Sequence, residues 1–135
     1  MRLHLASTSP ARLSLLRAAG IEPVTISPDV DEDAVAAAEA ARLGAPLTPH
    51  HVVELLARAK AEAVAANGAT LGIDGLILGG DSVFVLDGVI YGKPHTPERA
   101  RERWQTQRGR TGTLYSALAD RAHRGAPRPG GRRGR

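Results

Sequence analysis

The start of the chain alternates apolar and polar residues and then changes to a helical pattern. Residues 2–6 alternate as a short β-strand does. A polar turn follows, in which Ser9 can cap a helix and Pro10 suits the first helical position. Apolar residues then recur at helical spacing as far as Gly20, which can end a helix. This segment therefore predicts a strand, a tight turn and a helix.

Comparable signals recur along the chain up to residue 118. Asp87-Gly88 lies between two β-rich stretches and is a strong hairpin signal. Gly79-Gly80-Asp81 is expected to separate two strands, and Thr48-Pro49 repeats the cap-and-proline start of a helix. The further predicted elements are strands over 23–28, 76–79, 83–86, 89–91 and 111–118, and helices over 33–42, 49–66 and roughly 98–107.

The order of these elements predicts an α/β fold in which a mixed sheet is flanked by helices. We assign residues 1–118 to one domain and residues 119–135 to a disordered tail rich in arginine, glycine and proline. The helix over 49–66 is expected to pack through an apolar stripe. The members of this stripe are Val52, Leu55, Leu56, Ala59 and Ala63.

Composition narrows the class of protein. The chain has 135 residues, of which 42% are apolar and 3% aromatic, enough for one globular domain with an aliphatic core. Cysteine is absent, which excludes disulfide bonds, a thiolate zinc site and a cysteine nucleophile. No apolar run approaches the length of a membrane helix, and the N-terminus does not match a signal peptide. We therefore expect a cytoplasmic protein without membrane contact.

The net charge of +4 is distributed unevenly. Residues 1–97 contain seven Lys and Arg and eleven Asp and Glu, a net charge of −4, whereas residues 98–135 contain eleven and three, a net charge of +8. The last fifteen residues include six arginines and no acid. The basicity therefore belongs to the C-terminal segment and does not indicate a nucleic-acid-binding body.

The predicted hairpin brings an acid near a base. With a two-residue loop at 87–88, Ser82 faces Lys93, so Asp81 and Lys93 lie at the open end of the hairpin. The two glycines before Asp81 leave room there for a ligand. The pair can be a surface ion pair, or a metal-binding carboxylate beside a phosphate-binding lysine.

A second candidate site is the polar turn before the first helix. Ser7 and Ser9 supply hydroxyl groups, and the N–H groups at a helix N-terminus attract anions. Arg12, in the first turn of that helix, points near the same place. The turn can therefore be an anion site, or simply the capped start of a helix.

Two further charged residues have a functional and a structural interpretation. Lys60 borders the stripe of the long helix, where a lysine usually extends along the apolar edge to solvent. Glu32, in an acidic run, can bind a cation or lie in a solvated loop. The sequence contains no P-loop, HExxH zinc motif, dinucleotide-binding glycine motif or Gly-x-Ser-x-Gly motif.

Taken in order, these segments resemble the Maf family, the septum formation inhibitor-like proteins. The segment from Leu5 to Arg12 resembles the opening signature Ala-Ser-x-Ser-Pro-Arg-Arg, and Asp31-Glu32 is similar to the acidic loop of the family. The other matching segments are Ala57-Arg58-Ala59-Lys60-Ala61, Gly80-Asp81-Ser82-Val83, Gly92-Lys93-Pro94 and Gly109-Arg110-Thr111. The resemblance covers about residues 3–118.

The resemblance implies a nucleoside triphosphate pyrophosphatase, which cuts between the α- and β-phosphates with a divalent cation, Mg²⁺ or Mn²⁺. It also implies a cytoplasmic protein with a two-lobed α/β fold, often present as a homodimer. By motif, Asp81 would activate water or hold the metal, and Glu32 would assist at the metal. The residues implied to contact phosphate or substrate are Lys60, Lys93, Ser7, Ser9, Arg12 and Ser82.

The chain departs from the family pattern at two places. Ala11 stands where the first arginine of the signature belongs, which removes one phosphate contact. Beyond residue 118, the basic tail replaces the strands and helix of the second lobe, and it resembles out-of-frame translation of a GC-rich gene. We therefore expect a C-terminally truncated copy with impaired activity and some uncovered apolar surface.

Two other functions stay open at this point. The chain could be an inactive fragment that only binds nucleotide or a partner. It could instead bind nucleic acid through its arginine-rich tail. The tail has no aromatic residue on which a base could stack, so nucleic acid is not the expected partner.

Overall fold

The structure, a computed structural model, describes residues 2–91, 98, 101–102, 105, 109 and 112–125. It confirms the α/β class. The strands are β1 (Arg2–Ala6), β2 (Val24–Ile26), β3 (Gly75–Leu86), β4 (Val89–Tyr91) and β5 (Thr113–His123). The helices are α1 (Pro10–Ala18), α2 (Glu32–Leu43), α3 (Pro49–Ala66) and the short α4 (Gly68–Leu71).

Helices α1 and α3 begin where the sequence predicts. The Ser9 hydroxyl accepts a hydrogen bond from the Arg12 backbone N–H at 3.4 Å, and the Thr48 hydroxyl accepts one from His51 at 3.2 Å. Helix α2 begins at Glu32 because Asp31 caps it, accepting from the Ala34 N–H at 3.1 Å. Glu32 therefore lies in the first turn of a helix and not in a solvated loop.

Strand β3 is the central strand of the mixed sheet. Strand β1 runs parallel to both β2 and β3, whereas β4 and β5 run antiparallel to β3. Strand β5 pairs with residues 75–85 of β3 and occupies one edge of it. Among the described residues, the partners of β3 on the other edge are β1 at 75–79 and β4 at 84–86.

The expected break at Gly79-Gly80-Asp81 is wrong, because β3 is one continuous strand of 12 residues. Pairing with β5 continues through these positions without a change of register. The hairpin is confirmed, with Leu86 opposite Val89. Asp87 and Gly88 adopt φ values of 50° and 77°, the left-handed conformation that a tight two-residue turn requires.

Helix α3 packs on one face of the sheet, but not through the predicted stripe. Of the five residues in that stripe only Leu56 is buried. Gly79 explains which face of α3 is buried, because a Cβ at this position would meet the Ala57 carbonyl oxygen and the Ala61 nitrogen. The helix is therefore rotated so that its small residues approach the strand closely. The buried residues of α3 are Val53, Leu56, Ala57, Ala61, Val64 and Ala65.

The C-terminal part of the sheet is longer than predicted. Strand β5 starts at Thr113 and continues to His123, so residues 119–123, which we assigned to the tail, belong to the sheet. Beyond the strand, the Gly125 N–H donates to Asp74 Oδ1 at 3.1 Å. The helix expected over 98–107 falls mostly outside the described residues, as do residues 126–135. No helix within the described ranges is both long and apolar enough to cross a membrane.

Candidate active site

Lys60 lies at the centre of a cluster of charged groups next to Gly80 and Asp81 of β3. Its ammonium group donates to Asp81 Oδ1 at 3.0 Å and to the Gly80 carbonyl at 3.2 Å, and it lies 3.3 Å from Glu32 Oε1. The three acceptors match the three protons that an ammonium group can donate. With a side chain only 15% exposed, Lys60 is an inward-facing lysine and does not extend along a solvated edge.

Asp81 is the most buried charged residue of this cluster, with 7% of its surface exposed. Its Oδ1 atom contacts Lys60, whereas Oδ2 is buried and has no hydrogen-bond partner among the described residues. Burial raises the pKa of the carboxyl group, the interactions with Lys60 lower it, and the Glu32 charge raises it. The result is a carboxylate with one oxygen available for a cation or a proton.

Helix α2 brings Glu32 to this cluster although none of its residues is buried. Glu39 connects the helix to α3 through His51 Nε2 at 2.8 Å, and it also accepts from Arg42 at 2.6 Å. The hydrogen bond from Arg42, with a smaller contribution from His51, lowers the pKa of Glu39 to about 2. Polar contacts therefore place α2 on α3 and hold Glu32 beside Lys60.

The turn between β1 and α1 forms a second cluster. The Ser7 hydroxyl accepts from the Ser9 N–H at 3.1 Å and from Arg12 Nη1 at 3.4 Å. Arg12 Nη2 also donates to Ser82 Oγ at 2.9 Å. The turn is thus a capped helix start and, at the same time, a place where an arginine and two serine hydroxyls from distant segments meet. Such a group of donors suits an oxyanion.

The two clusters lie on opposite faces of β3 and meet at Gly80. Side chains alternate along a strand, so Asp81 faces α3 whereas Ser82 faces away from it. The Gly80 carbonyl accepts from Lys60, and a Cβ at Gly80 would meet the Arg12 guanidinium. The space that we expected these glycines to leave for a ligand is therefore filled by the protein itself, at Gly79 by α3 and at Gly80 by Arg12.

The structure brings most of the predicted site residues together. Asp81, Lys60 and Glu32 form the first cluster, and Ser7, Ser9, Arg12 and Ser82 form the second. Lys93 and its Gly92-Lys93-Pro94 segment lie outside the described residues, so their place at the open end of the hairpin stays a prediction. Among the described residues the ionic partner of Asp81 is Lys60, from a different element than predicted.

Ser116 belongs to the second cluster, although the sequence did not indicate it. Its hydroxyl lies 2.7 Å from Ser82 Oγ and donates to the Asp81 carbonyl at 3.3 Å. Ser82 and Ser116 are 34 positions apart, and only the register of β3 against β5 places them opposite each other. No short turn connects these strands, so the sequence offered no signal for this register.

The carboxylates of the first cluster fit a divalent cation in part. Within the part of the chain that the structure describes, no group of three His, Cys, Asp or Glu side chains comes together. Asp81 and Glu32 nevertheless share Lys60, which contacts Asp81 through Oδ1, and Asp81 Oδ2 has no hydrogen-bond partner in the described part of the chain. Magnesium is often held by one or two carboxylates together with phosphate oxygens of the substrate. Asp81 and Glu32 are therefore suited to a cation that arrives with a phosphorylated ligand.

The mixed α/β sheet thus carries a carboxylate–lysine cluster on one face of β3 and an arginine–serine cluster on the other, and groups of both kinds suit a phosphorylated ligand. Residues 2–129 match the sequence model of the family described as Maf-like protein. This chain belongs to that family.

Its relatives include three proteins named nucleoside triphosphate pyrophosphatase. The protein of Leifsonia xyli subsp. xyli is 62% identical over 127 residues, which are 93% of this chain and 58% of the relative. The Nocardia farcinica protein is 54% identical over 114 residues, 84% of this chain and 52% of the relative. The Corynebacterium diphtheriae protein is 46% identical over 116 residues, 86% and 54% of the two chains. The chain thus spans a little over half the length of these relatives.

Proposed function

We propose that this protein hydrolyses a nucleoside triphosphate between the α- and β-phosphates, giving a nucleoside monophosphate and pyrophosphate. The observation that carries the proposal is the buried Asp81 carboxylate next to the Lys60 ammonium, with an Oδ2 atom that no described residue hydrogen-bonds. Arg12 and two serine hydroxyls lie on the other side of Gly80 and suit the phosphate chain. The names of the relatives support the same reaction.

In this reaction a water oxygen attacks the α-phosphorus, and the bond from that phosphorus to the bridging oxygen breaks. The pyrophosphate leaves with the electron pair of that bond. Asp81 accepts the proton of the attacking water, and its raised pKa favours this role because a base works best when its pKa approaches the working pH. Lys60 and Arg12 stabilise the negative charge that develops on the phosphate oxygens.

The proposal includes a divalent cation held by Asp81 and Glu32. When bound, Mg²⁺ or Mn²⁺ would neutralise phosphate charge. Lys60 already holds these two carboxylates around one ammonium group, which keeps two like charges close together without a metal ion. Lys93 is proposed to bind a further phosphate oxygen, by motif alone. The cytoplasmic location and the homodimer stay predictions from the sequence.

The proposal is tested by measuring pyrophosphate release from UTP, dTTP and CTP with Mg²⁺ or Mn²⁺. We expect release by the wild-type protein and a loss of at least about a hundredfold in Asp81→Asn, because the variant keeps the shape but not the base. Asp120→Asn, at an exposed position of β5, is the matched control and should keep full activity.

Two results would overturn the proposal. One is release that Asp81→Asn leaves unchanged. The other is that the protein binds a non-hydrolysable triphosphate analogue in calorimetry but releases no pyrophosphate from the natural nucleotides. That second result would identify the chain as a nucleotide-binding protein only.

A further inference from the structure

Ser116 is connected to Arg12 by a chain of hydrogen bonds that crosses two strands. Arg12 Nη2 donates to Ser82 Oγ at 2.9 Å, and Ser82 Oγ lies 2.7 Å from Ser116 Oγ. The Ser116 hydroxyl in turn donates to the Asp81 carbonyl at 3.3 Å. The chain thus runs from the guanidinium group to the backbone of β3. Besides Ser82, the described hydrogen-bond partner of the guanidinium is Ser7, at a longer 3.4 Å.

The number of protons fixes the direction of the Arg12–Ser82 bond and couples the directions of the other two bonds. A guanidinium group only donates, and each serine hydroxyl has one proton to donate. Ser82 therefore accepts from Arg12 and has its own proton left to donate. While Ser116 donates to the Asp81 carbonyl, the Ser82 proton must point to Ser116. If Ser82 gives its proton to a ligand oxygen, Ser116 can rotate and donate to Ser82 instead.

We propose that Ser116 is a positioning residue, which holds Ser82 so that Ser82 can orient Arg12 and donate its proton to a phosphate oxygen. This inference rests on the proposed function in that it takes the ligand to be the phosphate chain of a nucleotide. A hydroxyl at position 116 can both donate and accept, so Ser82 keeps its partners in the free and the bound state. Without it, the Ser82 proton and the Arg12 guanidinium are less well ordered before the ligand arrives.

The geometry separates this role from the chemistry at Asp81. Ser116 faces Ser82, on the side of β3 opposite the Asp81 carboxylate and Lys60. Its contact with Asp81 is to the backbone carbonyl and not to the carboxylate. Loss of the hydroxyl should therefore weaken phosphate binding and leave the pH dependence of the reaction unchanged.

The test compares Ser116→Val with Ser116→Thr. Valine and threonine have nearly the same shape and both favour a strand, but only threonine keeps the hydroxyl. We expect Ser116→Val to weaken binding of inorganic pyrophosphate and of a non-hydrolysable triphosphate analogue about fivefold in calorimetry, the effect of one hydrogen bond. Ser116→Thr should bind as the wild type does. In the activity assay, Ser116→Val should raise KM with little change in kcat and no shift of the pH profile.

A double-mutant cycle then shows whether Ser116 acts through Arg12. In an Arg12→Gln background the same valine substitution should have a smaller effect on pyrophosphate binding than in the wild type, because only the ordering of the Ser82 proton is left to lose. An undiminished effect in that background would overturn the proposal. Equal binding by the valine and threonine variants, or no pyrophosphate binding by the wild type, would overturn it as well.

The calorimetry keeps this proposal separate from the proposed reaction. If the variants bind pyrophosphate with the expected affinities but the protein hydrolyses no nucleotide, the role of Ser116 is supported and the proposed hydrolase activity is excluded. If Ser116→Val changes neither nucleotide hydrolysis nor pyrophosphate binding, the role of Ser116 is excluded and the proposed hydrolase activity stands. Thermal unfolding of each variant confirms that the compared proteins are folded.

Discussion

At the scale of single residues, the cluster around Lys60 combines groups that a folded protein rarely buries together. Asp81 loses most of its solvent, which raises its pKa, and the ammonium group of Lys60 compensates for only part of that loss. A buried carboxylate of this kind reduces stability but is available for chemistry. Motifs in the sequence indicated Lys60, Asp81 and Glu32 as candidates. The distances between their side chains depend on how α2 and α3 pack against each other and the sheet.

The raised pKa of Asp81 predicts a pH dependence of stability. A carboxyl group whose pKa is raised by folding binds its proton more tightly in the folded state. Stability is therefore lost as the pH rises from the ordinary value of 3.8 through the raised one. Asp81→Asn cannot titrate, so we expect the wild type to lose stability relative to this variant across that window. Urea unfolding at a series of pH values measures the difference, and parallel curves would contradict the prediction.

Lys60→Met extends the same experiment. Removing the ammonium group removes an interaction that lowers the pKa of Asp81. The pH range over which the protein loses stability should therefore extend to higher pH. Arg58→Met is the matched control, because Arg58 lies on the exposed side of the same helix. If Lys60→Met and Arg58→Met lose stability over the same pH range, then Lys60 is not the group that lowers the pKa of Asp81.

At the scale of elements, the contact between α3 and β3 determines where the site can form. Gly79 allows the helix backbone to approach the strand at Ala57 and Ala61, and this approach selects the helix face that carries Lys60. The predicted stripe failed because apolar periodicity alone does not distinguish a face of small residues from one of large residues. Close packing decided between them, since a glycine on the strand leaves room for a helix backbone.

Gly79→Ala tests this contact. The added Cβ would collide with the Ala57 carbonyl, so α3 must move, and we expect a loss of about 1–3 kcal/mol in the free energy of unfolding. Activity should fall as well, because Lys60 moves with the helix. Gly44→Ala is the control, since a Cβ there meets nothing within 4 Å and costs only the strain of its φ of 68°. Chemical denaturation should show this control to be the more stable of the two.

At the scale of the whole molecule, the face of the sheet opposite α3 carries exposed apolar side chains. Leu114 and Leu118 of β5 lie opposite Phe84 and Gly80 and are 67% and 63% exposed. These two leucines form an exposed apolar patch on that face, whereas the truncation that we expected to uncover apolar surface stays a prediction. Surface of this kind attracts apolar probes and promotes association.

Leu118→Thr should reduce the fluorescence of a dye that binds apolar surface, such as ANS. Threonine suits an exposed strand, so the free energy of unfolding should change by less than about 0.5 kcal/mol. Leu43→Gln removes an exposed leucine from α2, outside the sheet, and should reduce the dye signal less. Equal effects of the two substitutions would show that the sheet face is not the principal apolar surface.

The sequence by itself determined the features that depend on neighbouring residues: the caps at Ser9 and Thr48, the turn at Asp87-Gly88 and the α/β class. Each of these depends on interactions within a few positions, which local patterns encode. The rotation of α3, the unbroken course of β3 and the place of Ser116 were decided by the tertiary structure. They depend on close packing and on strand register between distant segments, and no local pattern specifies either.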